Sequence, residues 1–279
     1  MTSRRKFIYK SIATAIGSIT LPSFIRSRGI YEDLGVQLYT FRDAMMKDPK
    51  ETLSKIANLG IKYLESARSE KGLYYGLTPV EMRDTCKSFD LALKSGHVLL
   101  DSDWLKTIEE AAEAGQEYLI CSSLPTKGQY IDNYFSVADA FSKAGEDCIE
   151  LGLKFGDHNH GYEFETDKGR VLYDVLLENT DPSLVCMELD LGWVVMGGKN
   201  PIDYFKQYPG RFSLWHLKDM SLLKEVSTEF GKGDLNIPEM LRNADLSGVK
   251  YIFLEQEEYD NNPFDSIQYN LNYLAKLGG

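Results

Sequence analysis

The sequence has only four cysteines in 279 residues, and none of them belongs to a Cys-x-x-Cys pair. This spacing argues against a closed structural zinc site and against the dense disulfide framework of a small secreted domain. Cys121 and Cys186 lie in apolar runs, which predicts buried thiols for all four cysteines. An oxidising compartment would still allow one or two disulfides.

Basic residues are also scarce relative to acidic ones, with 31 Lys and Arg against 42 Asp and Glu and a net charge of −11. Such a surface repels phosphate backbones and anionic membranes, so we expect neither nucleic acid nor a membrane as a partner. With 43% hydrophobic residues, the chain is apolar enough to bury a large core.

The segment 1–28 departs from this composition, because it holds six basic residues and no acidic one. Its apolar stretch is interrupted by Gly17 and Pro22 and is too short to span a bilayer. The sequence SRRKFIYK resembles a twin-arginine export motif, with Arg4 and Arg5 as the pair. We therefore expect an export signal over 1–28 and a periplasmic protein without stable membrane association after processing. A basic disordered tail is the alternative.

Helix boundaries can be recognised along the rest of the chain. A capping residue followed by proline predicts a helix start, because the cap accepts a backbone N–H where proline has none to offer. Such starts occur in DPKE at 48, TPVE at 78, DPSL at 181, NPID at 200 and NPFD at 262. Glycines that can adopt the left-handed cap conformation precede aromatic or apolar stretches at Gly60, Gly115, Gly152 and Gly248.

Short apolar segments between these signals predict eight strands, at about 34–41, 63–67, 91–98, 118–124, 153–158, 185–191, 212–217 and 251–255. Eight strands that alternate with helices predict a single α/β domain over 29–279, a (β/α)8 TIM barrel. A doubly wound sheet is the alternative. It is disfavoured because no GxGxxG follows the first strand and the chain has no P-loop.

All four histidines fall at predicted C-terminal strand ends, where TIM barrels place their active sites. Residues two apart on a strand share a face, so four consecutive strands each direct two polar side chains to one side. The pairs are His158 with His160, Glu188 with Asp190, His216 with Lys218, and Glu255 with Glu257.

Burial of so many ionisable groups is unfavourable unless they are compensated, and a divalent cation at the barrel mouth would supply that compensation. Imidazole and carboxylate ligands suit Mn, Zn, Co or Fe, and Mg is a further candidate. The pattern therefore predicts one divalent metal ion. Any single His or Glu taken alone is equally well explained as a solvated strand-end residue.

At these residues the chain resembles the sugar phosphate isomerase/epimerase family, the TIM barrels similar to xylose isomerase and to ketose 3-epimerases. The motifs that carry the resemblance are GVQLYTFRD at 35–43, KFGDHNHGYEF at 154–164, ELDLGW at 188–193, WHLKDM at 215–220 and FLEQEEY at 253–259. The resemblance covers the chain from about Leu34 to the C-terminus.

The resemblance implies one metal ion held by one ligand from each of strands five to eight. Three of the family's ligands carry over to Asp190, His216 and Glu255. The fifth-strand carboxylate is missing, because Gly156 stands where many members have Glu, and His158 is the nearest inward-facing substitute. Trp193 stands where many members have a second His.

The activity implied is a metal-dependent sugar isomerase or epimerase, in which a carboxylate removes a proton next to a carbonyl and an enediolate forms. An epimerase needs a base on each face of the carbon. Only Glu255 matches a family base, so the opposite face would have to use His158, Glu188 or Lys218. This gap and the expected export favour a second reading, β-elimination of a 3-keto-glycoside.

A non-catalytic carbohydrate-binding barrel is the alternative of another class, with Tyr39, Trp193 and Trp215 as stacking surfaces or, equally, as core residues.

We assign His158, Asp190, His216 and Glu255 to the metal. The candidate catalytic residues are Glu255, Glu188 and Lys218. The candidate substrate-binding residues are Tyr39, Arg42, Glu65, His97, His160, Trp193 and Glu257. Asp219 is expected to be structural, the expected ligand is a small carbohydrate, and homo-oligomerisation is left open.

Overall fold

A computed structural model of the chain describes residues 34–277, in which eight parallel strands close into a barrel. The strands are β1 (Gly35–Gln37), β2 (Tyr63–Ala67), β3 (Ala92–Val98), β4 (Tyr118–Cys121), β5 (Lys154–His158), β6 (Val185–Asp190), β7 (Leu214–Leu217) and β8 (Tyr251–Leu254). Each strand pairs with the next, and β8 pairs with β1. The predicted TIM barrel is confirmed. The predicted export signal lies outside the described residues.

The connections between the strands are mostly helical. Within residues 34–277 the helices are α1 (Arg42–Lys47), α2 (Pro49–Asn58), α3 (Pro79–Ser88), α4 (Trp104–Ala114), α5 (Ile131–Glu150), α6 (Leu172–Asn179), α7 (Leu191–Met196), α8 (Pro201–Gln207), α9 (Ile237–Arg242), α10 (Ala244–Ser247) and α11 (Pro263–Leu277). None of these helices has both the length and the hydropathy required to cross a bilayer.

Four of the five predicted proline-containing helix starts are confirmed. A side-chain oxygen accepts a backbone N–H from the first turn at Asp48, Thr78, Asn200 and Asn262. The prediction for DPSL is wrong: Asp181 accepts the N–H of Ser183 in a turn, and β6 begins only two residues later. A further start, where Asn236 caps α9, was missed.

Helix-to-strand turns follow the predicted glycines. Gly248 has φ of 80°, and a Cβ there would lie 2.7 Å from the Cα of Gly210, so both the backbone and the space require glycine. The first strand is shorter than predicted. The Gln37 side chain accepts the N–H of Tyr39 and starts a 3-10 turn over Leu38–Phe41, which places Tyr39 at the barrel mouth.

The barrel interior has an apolar layer below the polar side chains that lie towards the C-terminal mouth. It consists of Tyr118, Ile120, Cys186, Leu214 and Phe253. All four cysteines are buried and unbonded to one another, as predicted for free thiols.

Candidate active site

Four polar residues converge at the C-terminal mouth of the barrel. His158, Asp190, His216 and Glu255 each offer one ligand atom, and these atoms lie within 4.8 Å of one another. His158 Nε2 is 3.1 Å from His216 Nδ1 and 3.3 Å from Asp190 Oδ2, and His216 Nδ1 is 3.0 Å from Glu255 Oε2. Two imidazoles and two carboxylates at this spacing are compatible with one divalent transition metal. The structure thus brings together the four predicted ligands, and their role in binding a metal stays a prediction.

The absence of a fifth-strand carboxylate has a steric reason. Gly156 faces the apolar layer, and a Cβ at this position would lie 2.7 Å from Cys186 Sγ and 2.8 Å from Ile120 Cδ1. The space that a larger side chain would need is therefore filled. His158, two residues further along the strand, reaches the mouth instead.

A second set of possible ligands lies deeper and shares two members with the first. His97, His158, Glu188 and His216 also have ligand atoms within 4.8 Å of one another. Glu188 Oε2 lies 2.8 Å from His97 Nε2 and 3.3 Å from His216 Nε2. Burial, reinforced by the neighbouring Glu65 carboxylate, raises the pKa of Glu188 to about 7. Because Glu188 precedes Asp190 by two residues on β6, it faces the same way and lies one layer below the mouth, as the alternation of β6 indicated.

Glu65 does not line the mouth, in contrast to the prediction. Its position in the middle of β2 directs the side chain into the barrel, where Oε2 lies 2.6 Å from His216 Nε2 and accepts a hydrogen bond from Gln37. Burial alone would raise the pKa of Glu65, but His97 and His216 outweigh this effect and lower the pKa to about 2. An N–H donated from Nε2 to Glu65 leaves Nδ1 of His216 as the nitrogen that faces the candidate metal position.

Lys218 is fully buried among carboxylates. Its Nζ lies 3.0 Å from Asp190 Oδ2, 2.6 Å from Glu255 Oε2 and 2.6 Å from Glu257 Oε1. Burial alone would lower the pKa of Lys218, but these three carboxylates raise it well above its usual value. Burial would likewise raise the pKa of Glu255, but Lys218 and His216 hold it well below its usual value. The ammonium and the carboxylate are therefore both charged at neutral pH.

A cavity of about 260 Å³ opens above these groups. Its lining residues are Tyr39, Ala67, Arg68, His97, Ser122, Ser123, His158, His160, Trp193, Glu255 and Glu257. The lining includes five of the seven predicted substrate-binding residues, and Glu65 and Arg42 are the exceptions. The Arg42 guanidinium donates to the carbonyl oxygens of Tyr39 and Glu257, so it braces the rim of the cavity from behind. Burial lowers the pKa of His160 to about 4, so its imidazole is neutral.

Sequence reasoning missed several residues of the site. Arg68, Ser122 and Ser123 follow β2 and β4, and their place directly after barrel strands is the signal that could have identified them. Asn159 was not assigned a role either. Its Oδ1 accepts the backbone N–H of Asp190 at 2.9 Å and its Nδ2 donates to the Asp190 carbonyl at 3.3 Å, which ties the ends of β5 and β6 together.

Asp219 points away from the site, as predicted. Its carboxylate accepts four backbone N–H groups, from Met220, Gly231, Gly233 and Leu235. These hydrogen bonds hold the long loop that follows β7, so Asp219 has a structural role.

The closed parallel barrel and the solved structures that superpose on it define the protein as a xylose isomerase-like (β/α)8 TIM barrel. A sugar phosphate isomerase/epimerase from Parabacteroides distasonis ATCC 8503 superposes with a TM-score of 0.78 at 27% identity, over 88% of this chain and 98% of that one. The IOLI protein, solved with a bound zinc atom, superposes with a TM-score of 0.71 at 14% identity, over 88% of this chain and 97% of that one. At this identity the second likeness shows the fold alone.

Several curated relatives carry the name inosose dehydratase, and two of them illustrate the similarity. The protein from Geobacillus kaustophilus (strain HTA426) is 37% identical over 86 residues, which are 30% of this chain and 27% of that protein. The protein from Clostridium beijerinckii (strain ATCC 51743 / NCIMB 8052) is 27% identical over 164 residues, 51% of this chain and 54% of that protein. The chain thus matches about half, or less, of the length of these relatives. No protein-family model matches the chain.

Proposed function

We propose that this protein is a metal-dependent enzyme that removes a proton next to the carbonyl group of a sugar or a related polyhydroxylated ring. The proposal is carried by the convergence of His158, Asp190, His216 and Glu255 within 4.8 Å of one another at the mouth of the barrel. The similarity to a sugar phosphate isomerase/epimerase and to inosose dehydratases supports this class of activity.

The chemistry divides between the metal and the chain. A divalent metal held by the four residues would polarise the substrate carbonyl and a neighbouring hydroxyl, which makes the adjacent C–H acidic. Glu255, ionised because Lys218 and His216 lower its pKa, is the proposed base that accepts this proton. Neutral His160 is placed to hydrogen-bond a substrate hydroxyl, and Tyr39 and Trp193 provide flat surfaces for the ring.

Return of the proton to a different atom or face gives an isomer or an epimer, and this is the first proposed outcome. Epimerisation requires a second proton donor on the opposite face of the substrate. His160 and Glu257 line the cavity, whereas Glu188 lies deeper.

A second outcome, β-elimination, is favoured by the position of Lys218. Its buried ammonium lies 2.6 Å from the cavity-lining carboxylates of Glu255 and Glu257, so a proton donor adjoins the proposed base. In this reaction the proton next to the carbonyl passes to Glu255, a C=C bond forms, the C–O bond one carbon further on breaks, and the leaving oxygen takes up a proton. The name dehydratase, which these relatives carry, denotes loss of water, an outcome that an elimination of this kind can give.

Deuterium exchange measured by NMR tests the proposal. Purified, metal-loaded protein is incubated in D2O with free ketoses, inososes and 3-keto-glycosides. Deuterium next to the carbonyl without loss of a group would indicate isomerisation or epimerisation, and release of water or an alcohol would indicate elimination. Glu255→Gln should abolish exchange. Full metal occupancy without exchange in any of these substrates would contradict the proposal, and failure to bind a metal would favour a non-catalytic carbohydrate-binding protein.

The proposed location is the periplasm, on the basis of the basic segment 1–28 and its twin-arginine-like motif. The proposed partner is a small carbohydrate. The acidic net charge of −11 makes nucleic acid an unfavourable one.

A further inference from the structure

A second cavity adjoins the candidate active site on the side of β1 and β2. Its volume is about 580 Å³, against about 260 Å³ for the cavity above the candidate metal position. Tyr39 and Arg68 line both cavities, so the two meet at these side chains. The smaller cavity alone falls below the range of about 300–1,000 Å³ that is usual for sites of drug-sized ligands, whereas the two together lie within it.

Tyr39 presents an oriented aromatic face at this junction. The Arg42 guanidinium carbon lies 4.7 Å from the centroid of the Tyr39 ring, and Arg42 is itself fixed by hydrogen bonds to the carbonyls of Tyr39 and Glu257. The Tyr39 side chain is nevertheless 42% exposed. A tyrosine that is braced by Arg42 and open elsewhere is suited to stack against a flat ring.

The far wall of the second cavity is formed by the segment 68–77 after β2. Tyr75 in this segment is buried although its φ is 54°, a left-handed conformation that is uncommon for a bulky residue. The segment is tied to α1, because Lys71 Nζ donates to the carbonyl of Met46 at 2.6 Å. Tyr75 and the half-buried Met46 both line the cavity and supply apolar surface.

We propose that this second cavity, defined by Tyr39, Arg42, Met46 and Tyr75, binds a second ring attached to the sugar in the active site. This inference rests on the proposed function and narrows it: the substrate is a 3-keto-glycoside and not a free monosaccharide. Of the two outcomes, β-elimination then applies, since it breaks the C–O bond that joins the two rings and releases the second ring as an alcohol. The shared chemistry is a flat ring face for Tyr39, which either an aromatic aglycone or a second sugar supplies.

Binding of glycosides that carry no ketone tests this inference without turnover. The probes are the phenyl and methyl β-glycosides of glucose, galactose and mannose, together with cellobiose, and their affinities for the metal-loaded full chain are measured by titration and by saturation-transfer NMR. For at least one sugar, the phenyl glycoside or the disaccharide should bind about tenfold more tightly than the methyl glycoside. The phenyl and disaccharide arms distinguish an aromatic aglycone from a second sugar.

Met46→Trp fills the second cavity. It should remove the gain in affinity that the second ring provides, while leaving the affinity for the methyl glycoside within about twofold of the wild type. Tyr39→Ala, at an exposed position that lines both cavities, should weaken the methyl glycosides as well but the phenyl glycosides and cellobiose more, and it serves if Met46→Trp does not fold. Trp193→Ala, in the smaller cavity, should weaken all probes alike. The inference is overturned if the phenyl glycosides and cellobiose bind no more tightly than the methyl glycosides, or if the gain survives both second-cavity variants.

The outcome is separable from that of the proposed function. Deuterium exchange in a free ketose together with no preference for a second ring would overturn the second cavity as a subsite and leave proton abstraction standing. A preference for a second ring without exchange in any ketone would support the second cavity as a subsite and overturn proton abstraction.

Discussion

His216 and Glu65 are joined by a contact of 2.6 Å between Nε2 and Oε2, inside the barrel and away from solvent. The other ring nitrogen of His216, Nδ1, lies 3.0 Å from Glu255 Oε2, within the group of proposed metal ligands. A carboxylate that accepts the second N–H of a ligating histidine fixes its tautomer and makes the free nitrogen more basic. The contact therefore links β2 to a metal position that is built from the other side of the barrel.

Glu65→Gln should weaken divalent metal binding by about 10–100-fold, since the amide keeps the hydrogen bond but loses the charge. Metal affinity is measured by competition with a chelator, and thermal unfolding verifies that the variant is folded. The matched control is Glu117→Gln, which changes a carboxylate that is paired with Lys94 just before β4, and it should leave metal affinity unchanged. Equal affinities for Glu65→Gln and the wild type would show that the contact does not support a metal.

Lys218→Met should lower the free energy of unfolding of the metal-free protein by about 3–5 kcal/mol, because it removes the buried ammonium that Asp190, Glu255 and Glu257 all contact. Saturating metal should restore more stability to the variant than to the wild type, since two of these carboxylates are proposed ligands. Urea unfolding with and without metal measures both effects.

The control for this substitution is Lys232→Met, which removes a half-exposed lysine paired with Glu229 and should change the unfolding free energy by less than about 1 kcal/mol. A loss at Lys218 no larger than this would mean that the buried ion pairs contribute little. Identical recovery with metal in both proteins would argue against Asp190 and Glu255 as ligands.

Most of the fold was predictable from local signals. The segment 63–67 was placed where β2 lies, because a glycine cap and a short apolar run leave few alternatives. The wrongly predicted elements result from side-chain hydrogen bonds or from the position of a neighbouring strand. Leu38–Phe41 has the composition of a strand, but the Gln37 side chain turns the backbone at this point. The segment at Asp181 has the composition of a helix start, but β6 follows too soon for a helix to form.

The sequence indicated which side chains face into the barrel, but not how far below the mouth each of them lies. Alternation along β5 to β8 correctly indicated which side chains face inward, so the proposed ligands were found together. How far below the mouth a side chain lies depends on the stagger of neighbouring strands, which the sequence does not display. Glu65 was expected at the rim, but its position in the middle of β2 places it behind His216. Arg68 was missed because the only signal for it is its place directly after β2, which many solvated loop residues share.

Asn159→Ala should lower the free energy of unfolding by about 1–3 kcal/mol, because it leaves the buried N–H of Asp190 without its acceptor. It should also weaken metal binding, since Asn159 holds Asp190 next to His158. Asn133→Ala is the matched control, because Asn133 is also buried and its side chain bonds Thr126 and Gly128 in the loop between β4 and α5, not a proposed metal ligand. Stability should fall in both variants and metal affinity only in Asn159→Ala. Equal metal affinities in the two variants would rule out a positioning role.

Asp157 faces away from the site on β5, and neither of its carboxylate oxygens has a hydrogen-bond partner among residues 34–277. Burial raises its pKa to about 7, against about 3.9 in an unfolded chain. Between these values the unfolded chain is ionised while the folded protein holds the proton, so stability should fall by about 1.4 kcal/mol per pH unit as the pH rises and level off above about 7.

Asp157→Asn removes this titration, so its unfolding free energy relative to the wild type should rise by about 3 kcal/mol between pH 5 and pH 8, because about two pH units of the titration lie in this interval. Urea unfolding at the two pH values, with a chelator present so that metal binding does not contribute, measures the difference. Asp139→Asn, at an exposed position on α5, should show the same difference from the wild type at both pH values. A difference for Asp157→Asn that stays constant from pH 5 to pH 8 would mean that Asp157 is already ionised in the folded protein at pH 5.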